Sequence, residues 1–92
     1  MSYELKAYAL EKLREYIVYG NIEIKDKNDI KSAYSKMVES NYFDKEKLEH
    51  ASLISSIIEE FAEYYDKDPN ILDEHLIGYG PTRVLDALQP DN

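Results

Sequence analysis

The stretch KEKLEHASLISSIIEEFAEYY, residues 45–65, decides the fold of this chain. Its apolar side chains return at the three- and four-residue spacing of an amphipathic α-helix. One apolar stripe contains Leu48, Ala51, Ile54, Ser55, Ile58, Phe61, Ala62 and Tyr65. A second set, Leu53, Ile57 and Tyr64, widens this stripe and leaves a polar arc of Glu49, Ser52, Ser56, Glu59, Glu60 and Glu63. Since one packing face needs a narrower apolar arc, we expect a central helix or a helix that also contacts a partner.

Two helices are predicted upstream of this stretch. The first runs from Ser2 or Tyr3 to Tyr19 and has a core face of Leu5, Ala9, Leu13, Tyr16 and Ile17, with Leu10 at its edge. Gly20-Asn21 ends it, and we expect the glycine to take the positive φ of the cap. Residues 22–24 form an extended linker. The second helix begins at a cap on Asp26 or Asn28, ends near Ser40 and has an apolar stripe of Ile30, Ala33, Tyr34, Met37 and Val38.

Short signals mark the ends of the long third helix. Asp44 is its expected N-cap, and Phe43 is placed to contact Leu48 as a hydrophobic staple. Asp68 and Pro69 suit the start of a short fourth helix that ends near Ile77, with Ile71, Leu72 and Leu76 facing inward. Residues 78–81 form a turn, 82–88 a last short helix with Val84, Leu85 and Leu88 inward, and 89–92 a frayed end. The sequence therefore predicts one all-α domain over residues 1–92, a small helical bundle of three main helices plus one or two short C-terminal helices.

Composition limits what kind of protein this is. The 92 residues are 43% hydrophobic and 12% aromatic, which is enough apolar surface for one folded core. Cysteine is absent, so disulfides cannot support so small a domain, and a second subunit is the remaining source of stability. The charged N-terminal residues do not resemble a signal peptide, and no apolar run approaches the ~20 residues that cross a bilayer. We expect a cytoplasmic protein that does not enter membranes.

Charge is distributed unevenly along the chain. The net charge is −8; residues 1–50 carry nine Lys and Arg against ten Asp and Glu, and residues 51–92 carry two against nine. A surface this acidic repels phosphate backbones and attracts basic proteins, so direct nucleic-acid binding is disfavoured. The alternative is that the acidity serves only solubility.

No constellation of residues for catalysis is recognisable. The chain has no cysteine, its only histidines are His50 and His75, and no G-x-S-x-G turn presents a serine. Neither histidine has the E-x-x-H or H-E-x-x-H spacing of helical metal sites, and Glu46 with His50 supplies only two ligands. We therefore expect no enzyme activity, no catalytic residues, no metal site and no cofactor.

Three other patterns in the sequence give weaker indications of function. Asp66, Asp68 and Asn70 match the start of a calcium-binding EF-hand loop, but the required glycine and bidentate glutamate are replaced by Ile71 and Ile77. Residues 78–82 lack the lysine and preceding strand of a phosphate-binding loop. The second and third helices with their turn are compatible with a helix-turn-helix, although acidic neighbours dilute the basic residues at the start of the third helix. That leaves a small DNA-binding regulator as the least favoured interpretation.

Tyrosine and carboxylate side chains give the favoured interpretation. The chain has nine tyrosines, and Tyr64 lies among acidic residues, a combination suited to Lys- and Arg-rich surfaces. The alternative is that boundary tyrosines only keep a hydroxyl in water. We expect a non-enzymatic interaction domain of the antitoxin, immunity or inhibitor type, which binds a basic protein partner through Glu59, Glu60, Glu63, Tyr64, Asp66 and Asp68. The second interpretation is a structural or regulatory homo-oligomer, such as a homodimer, with a self-interface at Leu53, Ile57 and Tyr64.

Overall fold

Helices form almost all of the chain that a computed structural model describes, residues 3–88. The α-helices are α1 (Tyr3–Tyr19), α2 (Lys27–Glu39), α3 (Ala51–Lys67) and α4 (Pro81–Leu88). A 3₁₀ helix (Lys45–His50) precedes α3, and a π-helix (Ile71–Ile77) joins α3 to α4. Residues 3–88 contain no β-strand, so the predicted all-α class is confirmed. The expected fraying of residues 89–92 lies outside the described residues, as does a start of the first helix at Ser2.

Helix α3 is at the centre of the bundle. It packs against α1 and α2, while α4 packs on α1 and on the π-helix. Phe61 is fully buried where these faces meet, and all four α-helices and the π-helix contribute side chains to the same core. No polar or charged residue among those described is buried. The wide apolar arc of the third helix therefore serves mainly to pack it on two sides. None of the described helices combines the length and apolar character needed to span a bilayer.

Helix α2 begins at the predicted aspartate. The Asp26 carboxylate accepts hydrogen bonds from the backbone N–H groups of Asn28 (2.8 Å) and Asp29 (3.2 Å). In return, the Asp29 carboxylate accepts from the backbone N–H of Asp26 at 3.2 Å. This reciprocal arrangement is a capping box, which satisfies backbone donors that the helix itself leaves free. Asp26 is therefore the cap, and Asn28 is not.

The left-handed residue after α1 is Asn21, not Gly20. Asn21 has φ of 50°, and Asn41 after α2 has φ of 54°. The backbone N–H of Ile22 donates to the carbonyl of Ile17 at 3.0 Å, and Tyr42 repeats this bond at the end of α2. These bonds define Schellman motifs, in which the left-handed residue follows the C-cap by one position. The expected positive φ at Gly20 was wrong by that one residue, and asparagine takes the conformation because its short polar side chain tolerates it.

The third helix begins differently from the prediction. Residues 45–50 wind as a 3₁₀ helix, the Asp44 side chain makes no capping hydrogen bond, and Leu48 is 41% exposed. Phe43 is buried instead between aromatic rings, with its centroid 6.3 Å from that of Tyr8 and 5.9 Å from that of Tyr34. The predicted contact between Phe43 and Leu48 was therefore wrong. Because a 3₁₀ helix has fewer residues per turn, Leu48 does not continue the apolar stripe of α3.

Two further assignments change at the edges of the core. Val38 is 44% exposed, because the face of α2 that packs inward is completed by Ile30, Ala33 and Met37. Leu10, predicted at the edge of the core face of α1, is fully buried.

The predicted fourth helix is present, but it is a π-helix. Its hydrogen bonds join residues five apart, so side chains at that spacing, such as Ile71 and Leu76, turn towards the same face. Ile71, Leu72 and Leu76 are all buried.

Candidate functional site

The outer surface of α3 carries the candidate site. Glu59, Glu60, Glu63 and Asp66 recur at helical spacing on the side of α3 that faces away from the core, and all four are exposed. We call these four residues the acidic arc. The other two members of the predicted partner-binding set, Tyr64 and Asp68, are half-buried at its edges.

The position of the acidic arc does not favour helix stability. The first turn of α3, where carboxylates interact well with the helix dipole, contains no acidic residue. Asp66 instead lies in the last turn, where the dipole disfavours negative charge, and Glu59 and Glu63 repel each other across one turn. Lys67 is the one cation of α3, so most of the charge of the arc has to be balanced from outside the helix.

Helix α2 supplies two cations, both to the same residue. One oxygen of the Glu63 carboxylate lies 3.1 Å from Lys27 Nζ, and the other lies 3.4 Å from Lys31 Nζ. Hydrogen bonds from the two lysines lower the pKa of Glu63, and the Glu63 carboxylate raises the pKa of Lys27. Glu63 therefore joins α3 to α2, and part of its charge is already neutralised.

The other carboxylates of the arc are less engaged, although the charge of Asp66 helps to raise the pKa of Lys27. Within residues 3–88, Glu59, Glu60 and Asp66 form no ion pair. Asp68 has a local role, since its carboxylate accepts a hydrogen bond from the backbone N–H of Asn70 at 3.2 Å and closes the turn before the π-helix. Tyr64 packs against the core and keeps one edge in solvent. The available negative charge is thus concentrated on Glu59, Glu60 and Asp66.

A cleft lies beside the arc on the flank away from α2. Ser56, Ile57 and Glu60 of α3 line it together with Lys6 of α1 and with Leu85 and Leu88 of α4, and its volume is about 80 Å³. The predicted self-interface is divided by this arrangement. Ile57 is only 5% exposed at the cleft, whereas Leu53 is 39% exposed one turn earlier. Of the three residues predicted to form a self-interface, Leu53 is therefore exposed, Tyr64 is half-buried and Ile57 is mostly covered.

The two histidines have different surroundings. His50 is exposed, and its Nε2 lies 3.7 Å from a carboxylate oxygen of Glu49. His75 is half-buried in the π-helix, and its Nδ1 has no hydrogen-bond partner among residues 3–88. Across the described part of the chain, no group of three or more His, Cys, Asp or Glu side chains is arranged to hold a metal ion.

An aromatic and cationic cluster at the turn between α2 and α3 was missed by the sequence analysis. The Tyr8 hydroxyl accepts a hydrogen bond from the backbone N–H of Asp44 at 2.8 Å, and burial raises the pKa of Tyr8. Lys47 Nζ lies 5.4 Å from the centroid of the Tyr8 ring, and Lys12 Nζ lies 5.5 Å from that of Tyr42. In a helix-turn-helix protein, a lysine at the start of the third helix would contact DNA. Here the ammonium group of Lys47 lies over an aromatic ring of its own chain instead. The only signal for this cluster in the sequence is the four-residue spacing of Tyr8 and Lys12, which places both side chains on one face of α1.

Comparisons with protein-family models, with curated proteins and with solved structures found no match for this chain.

Proposed function

We propose that this chain is a non-enzymatic interaction domain that binds a basic protein through the acidic arc, together with Tyr64 and Asp68. The observation that carries the proposal is that the exposed carboxylates of Glu59, Glu60 and Asp66 form no ion pair within residues 3–88. These carboxylates lie where they weaken α3 rather than stabilise it. A partner that presents Lys or Arg to this surface would relieve that repulsion.

The charge of the surrounding surface supports the same partner class. Residues 51–88 contain eight acidic residues against Lys67 and Arg83, a net charge of −6. Such a field accelerates the approach of cationic proteins and repels nucleic acid. Tyr64 adds a ring edge that can contact the aliphatic part of a lysine or the plane of an arginine. Proteins that cover a nucleic-acid-binding surface, such as antitoxins, immunity proteins and inhibitors, fit this chemistry. We extend the proposal to a cytoplasmic location, with which a chain without cysteine is compatible.

The test is a comparison of three purified baits in the lysate of the native host. The first is the natural chain, and the second carries Glu59→Lys and Asp66→Lys, which reverses two carboxylates that form no ion pair within residues 3–88 and does not substitute Glu63 itself. The matched control carries Glu39→Lys and Glu46→Lys, two exposed acids of the first half of the chain. Each double variant changes the net charge from −8 to −4, because each substitution adds two positive charges.

We expect at least one protein with an isoelectric point above about 9 to bind the natural chain and the control. Its retention should fall at least about tenfold with the Glu59 and Asp66 variant, since reversed charges at a contact turn attraction into repulsion. Equal loss with both variants would mean that only net charge matters. Equal retention with both would mean that the arc serves only solubility. Either result, or the capture of no basic protein, contradicts the proposal.

A further inference from the structure

The central carboxylate of the acidic arc is already occupied by side chains of the same chain. One oxygen of Glu63 accepts a hydrogen bond from Lys27, and the other accepts one from Lys31. Glu59 and Asp66, one turn away on either side, form no ion pair within residues 3–88. A carboxylate has a limited number of acceptor positions. Glu63 is therefore less available to a second molecule than these two neighbours.

The two lysines of α2 lie where a basic partner would place its own cations. Their Nζ atoms lie 3.1 and 3.4 Å from the Glu63 carboxylate, and their side chains are 34% and 41% exposed. The hydrogen bond and charge of Glu63, and to a smaller extent the charge of Asp66, raise the pKa of Lys27. A cationic molecule that approaches Glu63 therefore meets two like charges.

We propose that Lys27 and Lys31 form an autoinhibitory contact, which a basic partner must displace to reach Glu63. This inference rests on the proposed function, since it concerns the regulation of the same acidic arc. The lysines oppose a partner in two ways, because they compete for the carboxylate and repel the cations of the partner. Partly exposed ion pairs contribute little to stability, so a partner can displace them. The contact therefore lowers the affinity without preventing binding.

Binding of a labelled octa-arginine peptide, followed by fluorescence anisotropy in ~50 mM salt where screening is modest, measures this effect. The released chain carries Lys27→Gln and Lys31→Gln. The matched control carries Lys36→Gln and Lys45→Gln, two exposed lysines that form no ion pair within residues 3–88. Both chains have a net charge of −10 instead of −8, because each substitution removes one positive charge. We expect the released chain to bind the peptide with a Kd at least about threefold below that of the control.

Glu63→Gln shows whether this gain in affinity passes through the Glu63 carboxylate. In a chain that carries Glu63→Gln, the two lysine substitutions still remove charge but no longer release an acceptor. Their gain should then fall to less than about half, because substitutions of contacting residues are not additive. Urea unfolding is the second readout, and the released chain should be less stable than the control chain although it binds more tightly. An ion pair with only a structural role would lower stability and leave binding at the level of the control.

The possible outcomes separate the autoinhibitory contact from the proposed function. Equal Kd values for the released chain and the control, or an equal gain with and without Glu63, overturn the autoinhibitory contact and leave the basic-partner proposal standing. The Glu59→Lys and Asp66→Lys chain should bind the peptide at least about tenfold more weakly than the natural chain. If it binds equally well, or if none of the chains binds the peptide, the proposed function fails, and the autoinhibitory contact fails with it.

Discussion

Glu63 lies on the polar arc of α3, and its sequence position suggests only an exposed carboxylate for a partner. In the folded chain it accepts hydrogen bonds from Lys27 and Lys31, which are more than 30 residues away along the chain. The spacing within α2 matters here, because residues four apart on a helix lie on one face and both lysines can reach one carboxylate. One residue of the predicted binding set thus also links two helices.

The pH dependence of stability should reveal this link. The folded-state pKa of Glu63 lies below its ordinary value of 4.5, so its contribution is present above that pH and is lost as the pH falls through the folded pKa. The pKa of Lys27 lies above its ordinary value of 10.5, so the contribution of Lys27 is present below that pH and is lost as the pH rises through the folded pKa. Glu63→Gln should therefore lower the urea midpoint by a constant amount between about pH 5 and pH 10, and by less outside that window.

The matched variant for this measurement is Glu59→Gln. It removes a neighbouring exposed carboxylate that has no ion pair among the described residues. Because Glu59 repels Glu63 across one turn, we expect its urea midpoint to equal or slightly exceed that of the natural chain, without the loss expected for Glu63→Gln. If Glu63→Gln follows the natural chain throughout, the contacts with Lys27 and Lys31 contribute nothing to stability.

The ends of the helices show how local rules act at the scale of an element. Gly20-Asn21 marks the end of α1 as predicted, but the left-handed conformation predicted for the glycine belongs to Asn21. The register of the final hydrogen bonds decides this point, since Ile22 reaches back to Ile17 and leaves Asn21 at the left-handed position. The same motif recurs at Asn41, where no glycine is present.

Substitutions at Asn21 test this assignment. Asn21→Ala should destabilise the chain by about 1 kcal/mol, because a residue with a Cβ and no local hydrogen bond is strained at φ of 50°. Asn21→Gly should retain the stability of the natural chain or increase it slightly, since glycine adopts this conformation readily. Urea unfolding at neutral pH measures both changes.

A control with the same chemical change is Asn28→Ala in the first turn of α2. The Asn28 side chain is exposed, and the cap of this helix belongs to Asp26, so we expect little change in stability. Equal losses from Asn21→Ala and Asn21→Gly would show that the amide group, and not the backbone conformation, matters at this position.

The start of the third helix shows the limit of element-level prediction. Helical spacing alone favoured a continuous helix from Lys45, with Leu48 and Ala51 in its core stripe. Both residues are exposed, because Phe43 is held between the rings of Tyr8 and Tyr34 and the chain enters α3 through a 3₁₀ helix. The rings that hold Phe43 belong to α1 and α2, so no local pattern in residues 45–51 contains this information.

At the scale of the whole molecule, α3 organises the core. Phe61 has no exposed surface, and the helices around it have no other aromatic residue that is fully buried. The described residues have a radius of gyration of 12.2 Å, close to the ~12 Å typical of a compact domain of this length. A core of this size tolerates little loss of packing.

Truncation at the centre should therefore be severe. Phe61→Ala should cost about 3–5 kcal/mol of unfolding free energy, through lost burial and the cavity left behind. That is a large share of the stability of a small domain, which is about 5–15 kcal/mol. Urea unfolding followed by circular dichroism, at a concentration too low for self-association, measures the loss.

Val38→Ala is the comparison for this core variant. Val38 belonged to the predicted core stripe of α2 but is 44% exposed, so its truncation should change stability by less than about 0.5 kcal/mol. A large loss at Val38 with a small one at Phe61 would contradict the arrangement of the core described above.

The sequence by itself determined the all-α class, the positions of the helices and the exposed acidic arc, because helix periodicity, capping residues and charge act over a few neighbouring residues. Tertiary structure alone decided that Lys27 and Lys31 hold Glu63, that α1 and α4 cover Ile57, and that Lys6 and Glu60 border one cleft. These contacts join residues from different helices, and they depend on how the helices pack. Packing of that kind follows from the shape and volume of the whole core, which no single stretch of sequence contains.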